Sequence, residues 1–239
     1  MSEIKVISGF EVTEEMLRTA SEVYVDAWKP KLMEEYRTDS DKEIHEMAFF
    51  QFQKRVEAYP KGQLFATYEG RFIGSINTLK IKPDTERLSK GWEKVTGKLI
   101  KENNAYKYEY PHDPEGNYIL CIAIQSDKKS GVKGTARKII ESVKEEKGIL
   151  TYSTLMGYKG QYMEDFVIKH PVVTFHEHLG AKKGAVLPNA RGKDPIIIMK
   201  YKDPENLIPS FEEWSEFYSS LFSRPKDEVP PISSQEIFI

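Results

Sequence analysis

The sequence predicts an α/β protein (α+β in how its elements are ordered), and three observations carry that reading. Tyr118 to Ile124 is an almost unbroken apolar run of strand length, the pattern of a strand buried on both faces. The segment after it, Gln125 to Thr135, is polar and basic and carries Gly131 and Gly134. Ala136, Ile139, Ile140 and Val143 then fall at i, i+3, i+4 and i+7, one apolar stripe of a helix. A glycine loop between a buried strand and a helix leaves backbone N–H groups unpaired at the positive end of the helix dipole. Such a place suits a phosphate or another anion.

The remaining elements follow in order. Ile4 to Ile7 reads as a short first strand. Thr13 has the character of an N-cap, with Glu14 and Glu15 in the first turn where the dipole favours them. Met16, Leu17, Ala20, Val23, Tyr24, Ala27 and Trp28 continue at helical spacing, and Pro30 is expected to end that helix. A second helix is predicted over Asp41 to Tyr59, closed by Pro60 and Gly62. Gln63 to Tyr68 and Phe72 to Ile81 form a hairpin around Glu69-Gly70-Arg71. Lys82 to Gly116 reads as a long connection with one short helix around Arg87 to Val95; its aromatic residues argue against disorder. After the central strand, loop and helix, Gly148 stands at a C-cap position and Ile149 to Leu155 reads as a strand. Helices are predicted over Tyr158 to Ile168 and Val172 to Leu179, the second closed by Gly180. Lys183 to Leu187 and Ile196 to Tyr201 are the last strands. A proline-flanked helix, Phe211 to Phe222, follows, then a tail with Pro225, Pro230 and Pro231 that is expected to be loose unless docked.

Composition bounds the function. The 239 residues carry 35 Lys+Arg against 37 Asp+Glu, a balance that argues for neither nucleic acid nor an anionic membrane as partner. Cys121 is the single cysteine, so no disulfide framework exists within one chain and a reducing, cytoplasmic location is expected. No apolar run approaches the roughly 18 residues of a spanning helix, and the first residues lack a signal-peptide core.

The order β-α-α-β-β-β-α-β-α-β-β, with the glycine loop after the fourth strand, resembles the GNAT acyltransferase fold. In that family the loop carries a Gln/Arg-x-x-Gly-x-Gly/Ala pattern that holds the pyrophosphate of acetyl-coenzyme A. Gly134 and Ala136 match it; Gly131 stands where Gln or Arg is usual, and the loop is about two residues longer. Phe175-His176-Glu177-His178-Leu179-Gly180-Ala181 resembles the family's Phe-Tyr-x-x-x-Gly-Phe. Trp92-x-x-Val95-Thr96-Gly97, Pro111 to Asn117, Asn189-Ala190-Arg191 and Asp194 are similar to a larger GNAT subgroup whose members accompany adenylating or nitrilase-like enzymes. The resemblance implies a mixed central sheet splayed between its fourth and fifth strands, with helices on both faces. It implies one acyltransferase domain over residues 1–201, with 82–116 inserted over an acceptor site and 202–239 as an extension.

The same resemblance assigns expected roles. Backbone amides of Gly131, Val132, Lys133, Gly134, Thr135 and Ala136 would cradle the pyrophosphate, with Lys128, Lys129 or Lys133 adding charge; a tight turn with solvated lysines is the alternative reading. The main chain of Ile122, Ala123 and Ile124 would bond the pantetheine amides. Acyl transfer to an amine needs a base, an oxyanion donor and an acid for the leaving thiolate. His176 stands in the family's tyrosine position and is expected to serve the thiolate, with an imidazole pKa near working pH. A packed helix histidine is the alternative reading. His112 and Glu115 are candidates for a base acting through water, although Pro-His-Asp-Pro is also an ordinary turn sequence. Trp92, Arg191 and Asp194 are candidate contacts to the acceptor; Arg191 and Asp194 form a structural ion pair on the alternative reading.

No HExxH or Cys/His cluster is present, so no metal is expected. Cys121 is expected to be a small core residue. The implied activity is N-acylation of a small-molecule amine or amino-acid-like acceptor by acetyl-CoA or another acyl-CoA, through direct attack in a ternary complex. The competing reading is a GNAT-fold module that binds an acyl-CoA without turning it over, as a sensor or regulatory partner. The aromatic spacing of Phe211, Trp214, Phe217, Tyr218, Leu221 and Phe222 fits a homodimer contact or docking on the domain's own core.

Overall fold

The computed structural model describes residues 3–82, 92–103, 105–143, 148–159, 163–191 and 194–222. It divides into two compact units. The first comprises Met1–Leu79, Gly97–His112 and Ile122–Lys144; the second comprises Lys80–Thr96, Asp113–Cys121 and Glu145–Ile239.

In the first unit, β1 (Lys5–Ser8) and β2 (Leu64–Tyr68) pair antiparallel, and β2 pairs antiparallel with β3 (Arg71–Ile81). The β2–β3 turn places Glu69 and Gly70 at φ 51° and 77°, both in the left-handed region that two-residue hairpin turns use. Helix α1 (Glu14–Tyr36) starts as predicted: the Thr13 hydroxyl accepts from the Met16 amide at 3.2 Å. It does not stop at Pro30. A mid-helix proline costs about 3 kcal/mol. Beyond it, however, Leu32 is fully buried, and the helix runs on to the left-handed Arg37. Burying a leucine returns roughly 1.5–3 kcal/mol, which offsets much of that cost. Helix α2 (Asp41–Ala58), capped by Ser40, joins α1 in a core of Leu17, Tyr24, Leu32, Ile44, Phe52 and Phe65.

The long connection, expected to hold one short helix, also holds a hairpin. Trp92–Thr96 is helical (α3) in the second unit, whereas residues 83–91, including the predicted start at Arg87, lie outside the described residues. Lys98–Glu102 (β4) and Ala105–Glu109 (β5) make an antiparallel hairpin in the first unit, in register from Lys98↔Glu109 to Glu102↔Ala105.

β6 (Tyr118–Ser126) belongs to both units, its first four residues to the second and the remainder to the first. In the second unit it pairs parallel with β7 (Gly148–Thr154), from Tyr118↔Gly148 to Cys121↔Thr151. β7 pairs antiparallel with β9 (Asp194–Lys202), and β9 with β8 (Lys182–Arg191). One parallel ladder among antiparallel ones makes the sheet mixed, as expected.

The helix after β6, α4 (Thr135–Ser142), ends before Val143, and Gly148 opens β7 instead of capping a helix. Its glycine is required by packing: a methyl group there would overlap the Tyr118 ring, which is fully buried. Gly148→Ala is therefore expected to cost about 2–3 kcal/mol by overpacking, read as a lowered urea midpoint.

Helix α5 (Met163–Lys169) begins later than predicted; residues 160–162 lie outside the described set. Helix α6 (Pro171–His178) starts at a His170 cap, whose Nδ1 accepts from the Val172 amide at 3.2 Å. It ends at Gly180, φ 93°, whose amide donates to the Glu177 carbonyl. In α7 (Phe211–Phe222), Phe211 and Trp214 are buried with their rings stacked at 5.5 Å, while Phe217 is exposed. Docking within its own unit accounts for the first two. The side chains of Tyr218, Leu221 and Phe222, and the whole 223–239 tail, lie outside the described residues.

Candidate acyl-donor loop and proton-transfer residues

The loop after β6 is built by local hydrogen bonds in the first unit. The Asp127 amide donates to the Ile73 carbonyl at 2.8 Å, fixing where β6 ends. The Asp127 carboxylate then accepts from the Lys129 amide at 2.9 Å, opening a 3₁₀ turn over Lys128–Ser130. Gly131 (φ 68°) and Gly134 (φ 83°) lie in the left-handed region. A Cβ at either would meet nothing within 4 Å, so the backbone conformation, and not crowding, calls for glycine.

Gly134 is the N-cap of α4 and offers no side chain to it. The Thr135 and Ala136 amides that open α4 therefore receive no side-chain cap from Gly134. The Thr135 side chain turns back into the loop, donating to the Val132 carbonyl at 3.3 Å, and is buried. The Val132 amide donates to the Ser130 hydroxyl at 3.3 Å, so the amides best presented are those from Lys133 onward.

Lys128 and Lys133 are exposed. Lys129 is exposed as well, and its Nζ lies 3.0 Å from the Asp26 carboxylate, whose hydrogen bond and charge raise the lysine pKa. Below the loop, Ile122 is buried while Ala123 and Ile124 are half-buried. Gln125 is buried and donates to the Ala20 carbonyl at 2.7 Å and to the Ser75 hydroxyl at 3.0 Å, tying α1 and β3 to β6.

The second unit holds His176. It is buried on α6, and its Nδ1 shares a 2.7 Å hydrogen bond with the Tyr201 hydroxyl of β9. Burial lowers its pKa to about 4, so the expectation of an imidazole titrating near neutrality is corrected. The physical reason is desolvation of the imidazolium, with no anionic partner among the described residues to compensate. Burial pushes the Tyr201 phenol the other way, above its ordinary value, with Cys121 adding to the rise. The Cys121 thiol is itself pushed up to about 12 by burial and is the core residue expected. His178 is exposed and its Nδ1 lies 2.7 Å from the Thr174 carbonyl.

The candidate bases lie in different settings. His112, in the first unit, is half-buried and stacks on Tyr59, with ring centroids 4.3 Å apart and planes 22° from parallel. Asp113 and Glu115 fall in the second unit and form a turn. The Asp113 carboxylate accepts from the Glu115 amide at 3.0 Å, and the Gly116 amide donates to the Asp113 carbonyl at 2.9 Å. The Glu115 side chain is exposed. Arg191 and Asp194 stand opposite one another in the β8–β9 register, and Asp194 is half-buried. The side chains of Trp92 and Arg191 lie outside the described residues. Among the described residues no group of three or more His, Cys, Asp or Glu side chains forms a metal-holding cluster. No helix among them is long and apolar enough to cross a membrane.

Two groups were not singled out from sequence. Tyr201 meets His176 across a separation of 25 residues. Arg55 meets Tyr108 across 53. Neither pair has a local sequence signal.

No protein-family model matches the chain, and no curated protein matches it in sequence. Solved structures do match. The GphF GNAT-like decarboxylase, in complex with isobutyryl-CoA, aligns at TM-score 0.57 and 17% identity, covering 83% of this chain and 100% of that one. The loading GNATL domain of CurA from Lyngbya majuscula aligns at TM-score 0.56 and 16% identity, covering 84% of this chain and 98% of that domain. The fold is therefore the GNAT fold.

Proposed function

We propose that this protein binds an acyl-CoA at the loop after β6 and transfers the acyl group, acetyl in the first instance, to a primary amine. The observation that carries the reading is the left-handed pair Gly131 and Gly134 leading into the uncapped N-terminus of α4. Amides from Lys133 to Ala136 take the pyrophosphate, with Lys128 and Lys133 adding charge. The half-buried main chain at Ala123 and Ile124 serves the pantetheine amides. A solved protein of the same fold, the GphF GNAT-like decarboxylase, holds isobutyryl-CoA, which agrees with this use of the fold.

The thioester supplies an activated carbonyl carbon. The amine nitrogen bonds to that carbon, the carbon–sulfur bond breaks, the amine gives up a proton and the thiolate takes one. Tyr201 is assigned as the donor to the thiolate, because its phenol is protonated at neutral pH. Neutral His176 positions it: with the proton on Nδ1, the imidazole donates to the phenol oxygen and leaves the O–H free. His112 or Glu115, acting through water, takes the proton of the amine, and Trp92, Arg191 and Asp194 hold the acceptor. Tyr201→Phe is expected to lower kcat by roughly 10²- to 10³-fold with coenzyme A affinity unchanged, measured with acetyl-CoA against a panel of amines.

The low pKa of His176 also favours a second reading, a module that binds acyl-CoA without turning it over. Saturable binding with no transfer or thioester hydrolysis across the amine panel selects that reading.

A further inference from the structure

Arg55, on α2 of the first unit, is only 5% exposed. Its Nε donates to the Tyr108 hydroxyl at 3.1 Å. The guanidinium carbon lies 5.4 Å from the Tyr108 ring centroid and 5.8 Å from that of Phe52. Nη1 is buried and makes no hydrogen bond. The ionisable groups acting on it are the tyrosines Tyr108, Tyr24 and Tyr110. Burial raises Tyr110 and Tyr36 above their ordinary values, so these phenols carry no compensating charge. A guanidinium buried without an anion is among the costliest arrangements a core can hold.

One helical turn earlier on the same face of α2 stands Gln51, 3% exposed. Its Nε2 donates to the Tyr36 hydroxyl, and its Oε1 is buried without a partner. A bare cationic donor and a bare carbonyl acceptor thus sit on neighbouring turns. Tyr36 and Tyr108 hold the other end of each side chain in place.

We propose that Arg55 and Gln51 form a binding site for a small carboxylate that carries a hydrogen-bond donor beside it, namely an α-amino acid. The carboxylate accepts from Arg55 Nη1 in a charge-assisted hydrogen bond, and the amino group donates to Gln51 Oε1. Arg55 supplies the charge selectivity, and Gln51 separates an amino acid from a simple acid. The proposal stands on these buried groups and does not depend on the acyl-transfer reading.

The test is calorimetric titration of the full chain, without coenzyme A, using alanine, lactate, alaninamide, acetate and chloride. Saturable alanine binding is expected. Alaninamide, which lacks the carboxylate, and acetate, which lacks the donor, should each bind at least roughly tenfold more weakly, the loss of one charge-assisted hydrogen bond. Arg55→Lys keeps the charge but not the fork, and should weaken alanine by a similar factor. If that variant does not fold, the guanidinium nitrogen resonance of Arg55 in the unaltered protein serves instead: it should shift with alanine and not with alaninamide. Lactate binding as tightly as alanine would overturn the assignment to an amino acid. Chloride or acetate binding as tightly, no binding by any of the five at millimolar concentration, or an Arg55 resonance that never moves would overturn the site.

Discussion

Gly134→Val is expected to weaken coenzyme A binding by roughly 10- to 100-fold while leaving the protein folded. Gly134 has φ 83°, and a side chain there meets no atom within 4 Å. The substitution therefore creates no clash and acts only through the backbone. A non-glycine residue in this region costs about 1–2 kcal/mol, and a β-branched one stands at the upper end. That strain is relieved by rotating the peptide that leads into α4, which re-aims the Thr135 and Ala136 amides. Each amide-to-phosphate hydrogen bond is worth roughly 1.5–3 kcal/mol, and misaiming one of them gives the stated loss. Gly70→Val is the control. Gly70 has a similar φ, 77°, and similar free space, but it lies in the β2–β3 turn. It should lower stability by a comparable amount and leave coenzyme A affinity alone. Titration calorimetry paired with urea unfolding separates the two effects.

The second large effect is a loss of stability in mild acid that traces to His176. The imidazole titrates at about 4 in the folded protein and near 6.5 in an unfolded chain. Above the unfolded value both states are neutral, and the contribution is fully present. As pH falls from about 6.5 toward 4, the unfolded chain binds a proton that the folded one refuses, so stability drops. The total approaches about 3 kcal/mol once pH has passed through the folded pKa. His176→Asn should flatten this segment of the profile, measured as urea midpoints at several pH values. If the wild type and the variant lost stability in parallel across this window, burial of His176 would not be the cause. The same neutral imidazole predicts that His176 contributes no limb near neutrality to a kcat profile.

What the sequence discloses depends on whether a signal is local. The buried run Tyr118 to Ile124, the Thr13 cap and the glycine after α6 are local, and each was read correctly to within a residue or two. The β4–β5 hairpin carries only a weak local signal. Its period-two signal is the pair Tyr106 and Tyr108, and lysines and glutamates at the intervening positions made the stretch look like a polar connection. Pro30 reads as a stop because its cost is local, whereas the burial of Leu32 that offsets it is tertiary. Gly148 shows the same limit: its role is to admit the Tyr118 ring from the neighbouring strand, and sequence proximity to a helix suggested a cap. The motif Phe175-His176 locates a residue that the fold buries, but not its charge state, which is set by desolvation in the folded core. In sequence Arg55 is one charged residue among several on α2. Its burial among tyrosines depends on a hairpin more than 50 residues away.

The central claim is that the loop Gly131 to Ala136 holds the pyrophosphate of an acyl-CoA. Titration of the full chain with coenzyme A tests it most directly, with 3′-dephospho-coenzyme A and pantetheine as truncated ligands. The expected result is saturable binding that survives removal of the 3′-phosphate, falls sharply when the pyrophosphate is absent, and weakens in Gly134→Val but not in Gly70→Val. Absence of binding at millimolar coenzyme A, or pantetheine binding as tightly as the whole molecule, would contradict it.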